Sequence, residues 1–313
     1  MTSSTQHSAL SHSPLLVIVG ATAVGKTALS LQLAQTFGGE IVSADSRLFY
    51  KGLDIGTAKP TAAERAVVPH HLIDICSPAQ TISLGEYQQM AYEVMGEIHG
   101  RGRLPILVGG TGQYVQAVVE GWGIPRIPPQ PALRAALESL GGDELARWLA
   151  VLDGEAAVKI DPRNVRRVIR ALEATLVAGV PISTQQRKTP PPYRTLILGL
   201  HRERGDLYQR IDARVRQMVA DGLVEEVQGL LSAGYGWELP ALSGLGYRQL
   251  RPYLEGEQTL EEAIGRIQFE THRFVRQQKT WFQPDDERIT WLDAAAEDLW
   301  TQAEGVVKAW VER

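Results

Sequence analysis

The chain has 313 residues, a formal net charge of −4, and 44% hydrophobic against 22% charged residues. That length supports a full buried core in one large domain or two smaller ones, and the composition is ordinary for a globular protein. The lone Cys76 excludes an internal disulfide and a cysteine-built zinc finger, no apolar run is long enough to cross a membrane, and any nucleic-acid role must come from a local basic patch.

Residues 1–13 are rich in Ser, Thr and His and carry no Lys or Arg. They lack the basic start and long apolar stretch of a secretory signal, so a disordered tail and a cytoplasmic location are expected. Leu15–Val19 reads as a buried strand. It runs into Gly20-Ala21-Thr22-Ala23-Val24-Gly25-Lys26-Thr27, and a helical pattern over 26–36 follows. This spacing is that of a phosphate-gripping loop: glycines let backbone N–H groups turn inward, Lys26 adds a point charge, and the Thr27 hydroxyl can hold Mg²⁺. Strand-like runs at 40–44, 106–108 and 196–200 alternate with helical patterns such as 84–99, and shorter runs fall at 71–75 and 288–292. The alternation predicts a parallel α/β sheet with ligands at its carboxyl edge. Asp45, just past the second run, suits a general base, a ribose contact or a metal partner; an Asx turn or helix cap is the structural alternative. The run 106–108 ends in Gly109-Gly110-Thr111 without the aspartate of an ordinary NTPase. His70-His71 has no further His or Cys at zinc-ligand spacing and reads as local structure or substrate lining.

Two proline clusters, Pro125 to Pro131 and Pro190-Pro191-Pro192, bracket helical patterns over 131–139, 142–152 and 164–178. They mark the expected stalks of a helical insertion at 124–194, within a discontinuous core of 14–123 and 195–313. In the helix from Asn164, the residues Val165, Val168, Ile169, Leu172 and Leu176 form an apolar stripe. Arg163, Arg166, Arg167 and Arg170 occupy another face without interleaved acids, which suits an RNA backbone or a solvated surface. In the helix 206–220, Arg214 shares the stripe of Leu207, Ile211 and Met218; it meets a phosphate, pairs with a structural carboxylate, or snorkels out from the stripe's edge. The basic segment from Arg266 to Lys279, with Arg273 and Arg276, ends in Trp281-Phe282, aromatics suited to base stacking or to the core.

With these residues assembled, the chain resembles the tRNA dimethylallyltransferases, also called tRNA isopentenyltransferases. The likeness rests on Gly20–Thr27, Ser43-Ala44-Asp45-Ser46-Arg47, the Tyr50–Pro60 run that contains Asp-Ile-Gly-Thr-Ala-Lys-Pro, and Pro69–Asp74. It continues through Val108–Gly112, Gly246-Tyr247-Arg248-Gln249 and Thr280-Trp281-Phe282, and so spans about 15–283. It implies an α/β, P-loop NTPase-like parallel sheet with flanking helices and an inserted helical subdomain. The implied reaction moves a dimethylallyl group from dimethylallyl diphosphate to the exocyclic amine of the adenosine 3′ to the anticodon. Residues 20–27 would hold the diphosphate, with Mg²⁺ at Thr27. Asp45 would act as base, Arg214 would neutralise the leaving group, and Thr111 would place the adenosine. Contacts to the tRNA anticodon stem-loop are implied for Asp45, Ser46, Arg47, Leu48, Arg134, Arg163, Arg166, Arg167, Gly246, Tyr247, Arg248, Arg273, Arg276 and Lys279, in a monomer. Ala21, Leu48, Gln113 and Gln283 depart from the usual family residues. A P-loop small-molecule or nucleoside kinase is the competing enzyme class, and a non-catalytic RNA-binding protein is the third reading.

Overall fold

In the computed structural model the described residues are 13–125, 127–189, 191 and 193–313. The expected tail lies outside them, apart from Ser13, which is the first residue of a strand. In chain order the elements are β1 (Ser13–Gly20), α1 (Lys26–Phe37), β2 (Gly39–Ser43), α2 (Ala62–Val67), β3 (His70–His71), α3 (Leu84–Gly100), β4 (Leu104–Gly109) and α4 (Gly112–Val119). Helices α5 (Pro131–Glu138), α6 (Gly142–Leu152), α7 (Gly154–Lys159), α8 (Val165–Ala178) and α9 (Ile182–Gln185) follow. The chain continues through β5 (Tyr193–His201), α10 (Arg204–Ala220), α11 (Leu223–Ser232), α12 (Arg251–Leu254), α13 (Leu260–Gln278), β6 (Ile289–Asp293) and α14 (Leu299–Val311). Two compact units result: one comprises Leu84–Glu86 and Ala117–Pro191, and the remaining described chain forms the other.

The larger unit is built on a parallel sheet of order β3-β2-β4-β1-β5-β6, flanked by helices. Central β1 pairs on both sides, Val17 lying opposite Leu107 of β4 and Ile197 of β5. Its residues Leu15–Val19 are fully buried, which is why the run is apolar without alternation. Because the strands are parallel, β1, β2 and β4 deliver Gly20, Asp45 and Gly110 to one edge. The approach there is close: Ala44 N–H donates to the Val108 carbonyl at 2.8 Å, and a Cβ on Gly109 would lie 2.4 Å from the Ala44 oxygen. The strand expected at 71–75 is only His70–His71. Beyond it Leu72 and Asp74 take left-handed backbone conformations, and the Asp74 carboxylate is held by Lys59 and Arg65 at 2.5 and 2.7 Å. Both histidines serve local structure: His71 Nε2 meets Glu40 at 2.7 Å, and His70 Nδ1 meets the Val68 carbonyl at the same distance.

In the smaller unit α8 buries Val168, Ile169 and Leu172 against Leu145 and Leu149 of α6 and Leu137 of α5. Val165 and Leu176, expected on this stripe, are each 40% exposed at the two ends of the helix. The proline clusters placed the insertion at 124–194, whereas the compact unit runs from Ala117 to Pro191. Backbone pairing sets its base, with Gly123 N–H donating to Arg187 O and Thr189 N–H donating to Gly121 O, both at 2.8 Å. Gly121 is required there, since its φ is +61° and a Cβ would fall 1.7 Å from the Thr189 oxygen.

Glu173 of α8 is fully buried and is the ionic hub of this unit. Arg134 grips it through Nε and Nη2 at 2.8 and 2.9 Å, Arg170 donates at 2.6 Å, and the Gln130 N–H donates at 2.7 Å. Burial by itself would raise the carboxyl, but these donors outweigh it and hold the group at about 2, below its usual 4.5. The stabilisation is therefore complete above the unfolded value and is lost as pH falls from about 4.5 toward 2. Substituting Glu173→Gln strands two guanidinium groups and is expected to cost about 3–5 kcal/mol in urea unfolding at pH 7. The deficit relative to the native chain should shrink on acidification through that window; a constant deficit from pH 7 to 3 would disprove the linkage.

Candidate active site

The loop between β1 and α1 is shaped from several sides. Gly20 has φ +145°, and a Cβ there would stand 2.6 Å from the Leu200 oxygen of β5, so only glycine lets these segments meet. Ala23 sits in the left-handed region at φ 65°, an uncommon and strained choice for a residue with a Cβ. Arg210 Nε donates to the Ala23 carbonyl at 3.2 Å, and Lys26 Nζ donates to Gly20 O and Ala21 O at 3.0 and 2.8 Å. Helix α1 then starts after Gly25 with no side-chain cap and no acidic residue in its first turn. Its first amides and positive dipole end thus lack an internal counterpart, the arrangement that takes an anion.

Three charged groups sense one another at this edge. Burial pushes the Lys26 ammonium down to about 8, with Asp45 opposing the shift and Arg214 reinforcing it. Burial likewise lowers the Arg214 guanidinium, with Asp45 opposing and Arg210 reinforcing. Lys26, Arg210 and Arg214 against one carboxylate, Asp45, leave this edge with a net positive charge that suits a polyanion. Arg214 has no hydrogen-bond or ion-pair partner among the described residues, so the structural-carboxylate alternative is not realised. The buried stripe of α10 is Leu207, Ile211 and Val215 rather than one ending at Met218, and Arg214 lies at its margin. Asp45 Oδ1 accepts the Arg47 N–H at 3.0 Å, an Asx turn that leaves its second oxygen available for chemistry. Thr27 is exposed in the first turn of α1.

The remaining expected contacts distribute unevenly. In the larger unit Ser46, Leu48 and Thr111 are partly exposed near Asp45 and Gly110, while Arg47 Nη1 donates to Pro240 O at 2.8 Å. Arg273, Arg276 and Lys279 are exposed on α13 and just past its end, and Arg276 donates to the Tyr208 hydroxyl at 3.0 Å. Of the Gly246–Arg248 segment only Arg248 is exposed. Tyr247, expected among the tRNA contacts, has its side chain in the interior instead: it is 1% exposed and donates its hydroxyl to Glu226 at 2.6 Å. Trp281 packs on Gly112, where a Cβ would lie 2.2 Å from the indole, but stays partly exposed, whereas Phe282 is buried and serves the core. In the smaller unit Arg166 and Arg167 are exposed, but Arg163 pairs with Asp161, and Arg134 and Arg170 are committed to Glu173. The arginine face therefore does have acidic partners, and Arg134 stabilises its own unit.

Sequence reasoning missed the residues that brace the site. Glu226 of α11 accepts the N–H groups of Asp54, Ile55 and Gly56 at 2.7, 2.7 and 3.1 Å, besides the Tyr247 hydroxyl. Lys59 is buried and joins Tyr50 O, Asp54 and Asp74. The Asp-Ile-Gly-Thr-Ala-Lys-Pro run is thus a turn pinned at both ends by ionic contacts. A buried glutamine, Gln278, reaches the phosphate loop itself. An acid three or four residues from apolar neighbours on a helix, or a glutamine at a helix end, carries no local signal of such a task.

The chain matches the family described as IPP transferase over residues 48–285 and one described as isopentenyl transferase over residues 13–74. It is 54% identical over 303 residues to the tRNA dimethylallyltransferase of Roseiflexus sp. (strain RS-1), covering 96% of this chain and 99% of that one. With the protein of that name from Dehalococcoides mccartyi it shares 50% identity over 283 residues, 89% of this chain and 87% of the other. Among solved structures, the full-length tRNA isopentenylpyrophosphate transferase of Bacillus halodurans superposes with a TM-score of 0.72 at 40% identity, covering 96% of this chain and 97% of that chain. A eukaryotic dimethylallyltransferase acting on tRNA gives a TM-score of 0.85 at 28% identity, over 96% of this chain and 80% of that chain.

Proposed function

The chain belongs to the IPP transferase family, and from that premise we propose that it transfers a dimethylallyl group from dimethylallyl diphosphate to the exocyclic amine of the adenosine 3′ to the anticodon in tRNA. The observation that carries this reading is the joint placement of an uncapped phosphate loop, Lys26, Arg214 and Asp45 at one sheet edge, beside a β4 that ends in Gly-Gly-Thr. A kinase would place an aspartate at that end of β4 to hold its metal, so the kinase alternative is not favoured.

The adenine amine is a weak nucleophile because its lone pair is delocalised into the ring. As its nitrogen bonds to the allylic carbon, the carbon–oxygen bond breaks and its electron pair leaves on the diphosphate. Lys26, Arg214 and the first-turn amides of α1 neutralise that developing charge. Asp45 takes the proton released by the amine, and its Asx turn keeps the accepting oxygen aimed at the edge. Thr111, beside Gly110, contacts the adenosine, which leaves its stack to enter the site. Exposed Arg248, Arg273, Arg276 and Lys279, together with Arg166 and Arg167, supply phosphate contacts along the anticodon stem-loop. Among the described residues no group of three or more His, Cys, Asp or Glu side chains could cage a metal. The exposed Thr27 hydroxyl fits Mg²⁺ instead, because that ion is commonly held by few protein groups plus substrate phosphate oxygens. Bound there, Mg²⁺ would add positive charge against the leaving diphosphate. We place the enzyme in the cytoplasm, where its tRNA is, as a monomer.

The test is to incubate the chain and unmodified tRNA with either dimethylallyl diphosphate or ATP and to analyse the nucleosides by mass spectrometry. Prenylated adenosine formed only with the allylic donor is expected. Phosphate transfer from ATP, or retained tRNA binding without any product, would overturn the reading.

A further inference from the structure

Gln278, the last residue of α13, has a side chain buried to 5% exposure at the junction of two active-site loops. Its Oε1 accepts the N–H of Thr22 in the phosphate loop at 3.0 Å, and its Nε2 donates to the Gly110 carbonyl after β4 at 2.9 Å. One planar amide thereby ties the loop that would hold diphosphate to the loop that carries Thr111. The space is tight: a Cβ on Gly110 would lie 2.6 Å from Gln278 Nε2, 3.2 Å from Gly20 O and 3.4 Å from Lys26 Nζ.

Two consequences follow from these contacts. The Thr22 amide is occupied by Gln278, so it gives nothing to a phosphate; its use is to fix the outline of the loop. The neighbouring Ala23 is the strained residue at φ 65°, and such a conformation persists only where the surroundings over-determine it. Gln278 on the Thr22 N–H and Arg210 on the Ala23 carbonyl supply that constraint from the two peptide groups that flank the Thr22–Ala23 link. We infer that Gln278 is a positioning residue for the prenyl donor: it holds the phosphate loop preformed, with its inward amides and Lys26 set for diphosphate before the ligand arrives. A preformed loop costs no ordering on binding, so losing the tether falls on donor affinity more than on the chemical step.

The inference rests on the diphosphate reading above, and the experiment separates the two. Inorganic diphosphate is titrated calorimetrically into the full chain, its Gln278→Met variant, which keeps the volume and loses both hydrogen bonds, and its Gly110→Ala variant, which displaces the amide without removing it. Each variant is expected to weaken diphosphate binding about tenfold and to raise KM for dimethylallyl diphosphate similarly. Turnover at saturation should stay within about threefold and tRNA affinity within about twofold. Amide hydrogen exchange should accelerate over residues 20–25, and the double variant should be no weaker than the weaker single one, as for two breaks in one link. Should Gln278→Met fail to fold, Gln278→Asn, whose shorter amide cannot span both Thr22 and Gly110, takes its place. A native chain without diphosphate affinity would overturn the functional reading and this inference with it. Native binding with unchanged affinity in the variants, or a loss confined to kcat or to melting temperature, would overturn this inference only.

Discussion

Replacing Asp45 with Ala is expected to lower kcat about a thousandfold at pH 7 while leaving tRNA affinity within about twofold, the range that removal of a positioned general base produces. Alanine alone does not distinguish base from scaffold, because Asp45 also accepts the Arg47 N–H at 3.0 Å. Asparagine does: it keeps an oxygen for that turn but cannot take up a proton. Asp45→Asn should therefore be as impaired as Asp45→Ala in single-turnover assays with prenyl donor and tRNA. If the asparagine variant turned over at near-native rate, Asp45 would be a turn former and another group would be the base.

The second large effect concerns Lys26, whose ammonium burial depresses to about 8 from a usual 10.5. A lowered value means that the free enzyme loses this charge as pH rises through about 8, whereas below it the cation is intact. Binding of a polyanion favours the charged form, so above pH 8 diphosphate binding must carry a proton with it. Affinity for inorganic diphosphate should accordingly fall up to about tenfold per pH unit above 8, relative to Lys26→Arg, whose guanidinium stays charged throughout. The ligand's own titration cancels in that comparison. Calorimetry in two buffers of different ionisation heat should register up to about one more proton taken up by the native chain than by Lys26→Arg. Lys26→Met should lose about 10²–10³ in kcat/KM at pH 7, as expected for removing a principal stabiliser of leaving-group charge. Identical pH profiles for the native and arginine chains would show that Lys26 remains protonated across this range and does not govern binding.

Much of this was legible in the chain itself, and the legible parts share a physical property. The apolar run Leu15–Val19, the Gly20–Thr27 spacing, Asp45 one residue past a strand, and the basic residues around Arg273 are patterns of consecutive or helically spaced residues. A buried parallel strand, a phosphate loop and a strand-end carboxylate are each specified within a dozen residues, so their identity survives without knowledge of the partners. The proline clusters gave the helical segment but not its base. That base is set by hydrogen bonds between Gly121-Gly123 and Arg187-Thr189, a pairing that neither stretch announces.

What only the tertiary structure decided is which polar groups face each other once water is excluded. Tyr247 reads as an RNA contact until Glu226, 21 residues away, is seen to accept its hydroxyl. Arg134 reads as basic surface until Glu173, 39 residues on, closes around it. Gln278 reads as nothing until it is found bonded to Thr22, 256 residues earlier. A buried polar group must be satisfied, but sequence distance does not limit the choice of partner; packing does. The sequence by itself therefore determined the parallel sheet, the phosphate-loop spacing at its edge and the family. The fold alone determined which arginines and tyrosines are free to meet a substrate, and which residues hold the loop in the shape that chemistry requires.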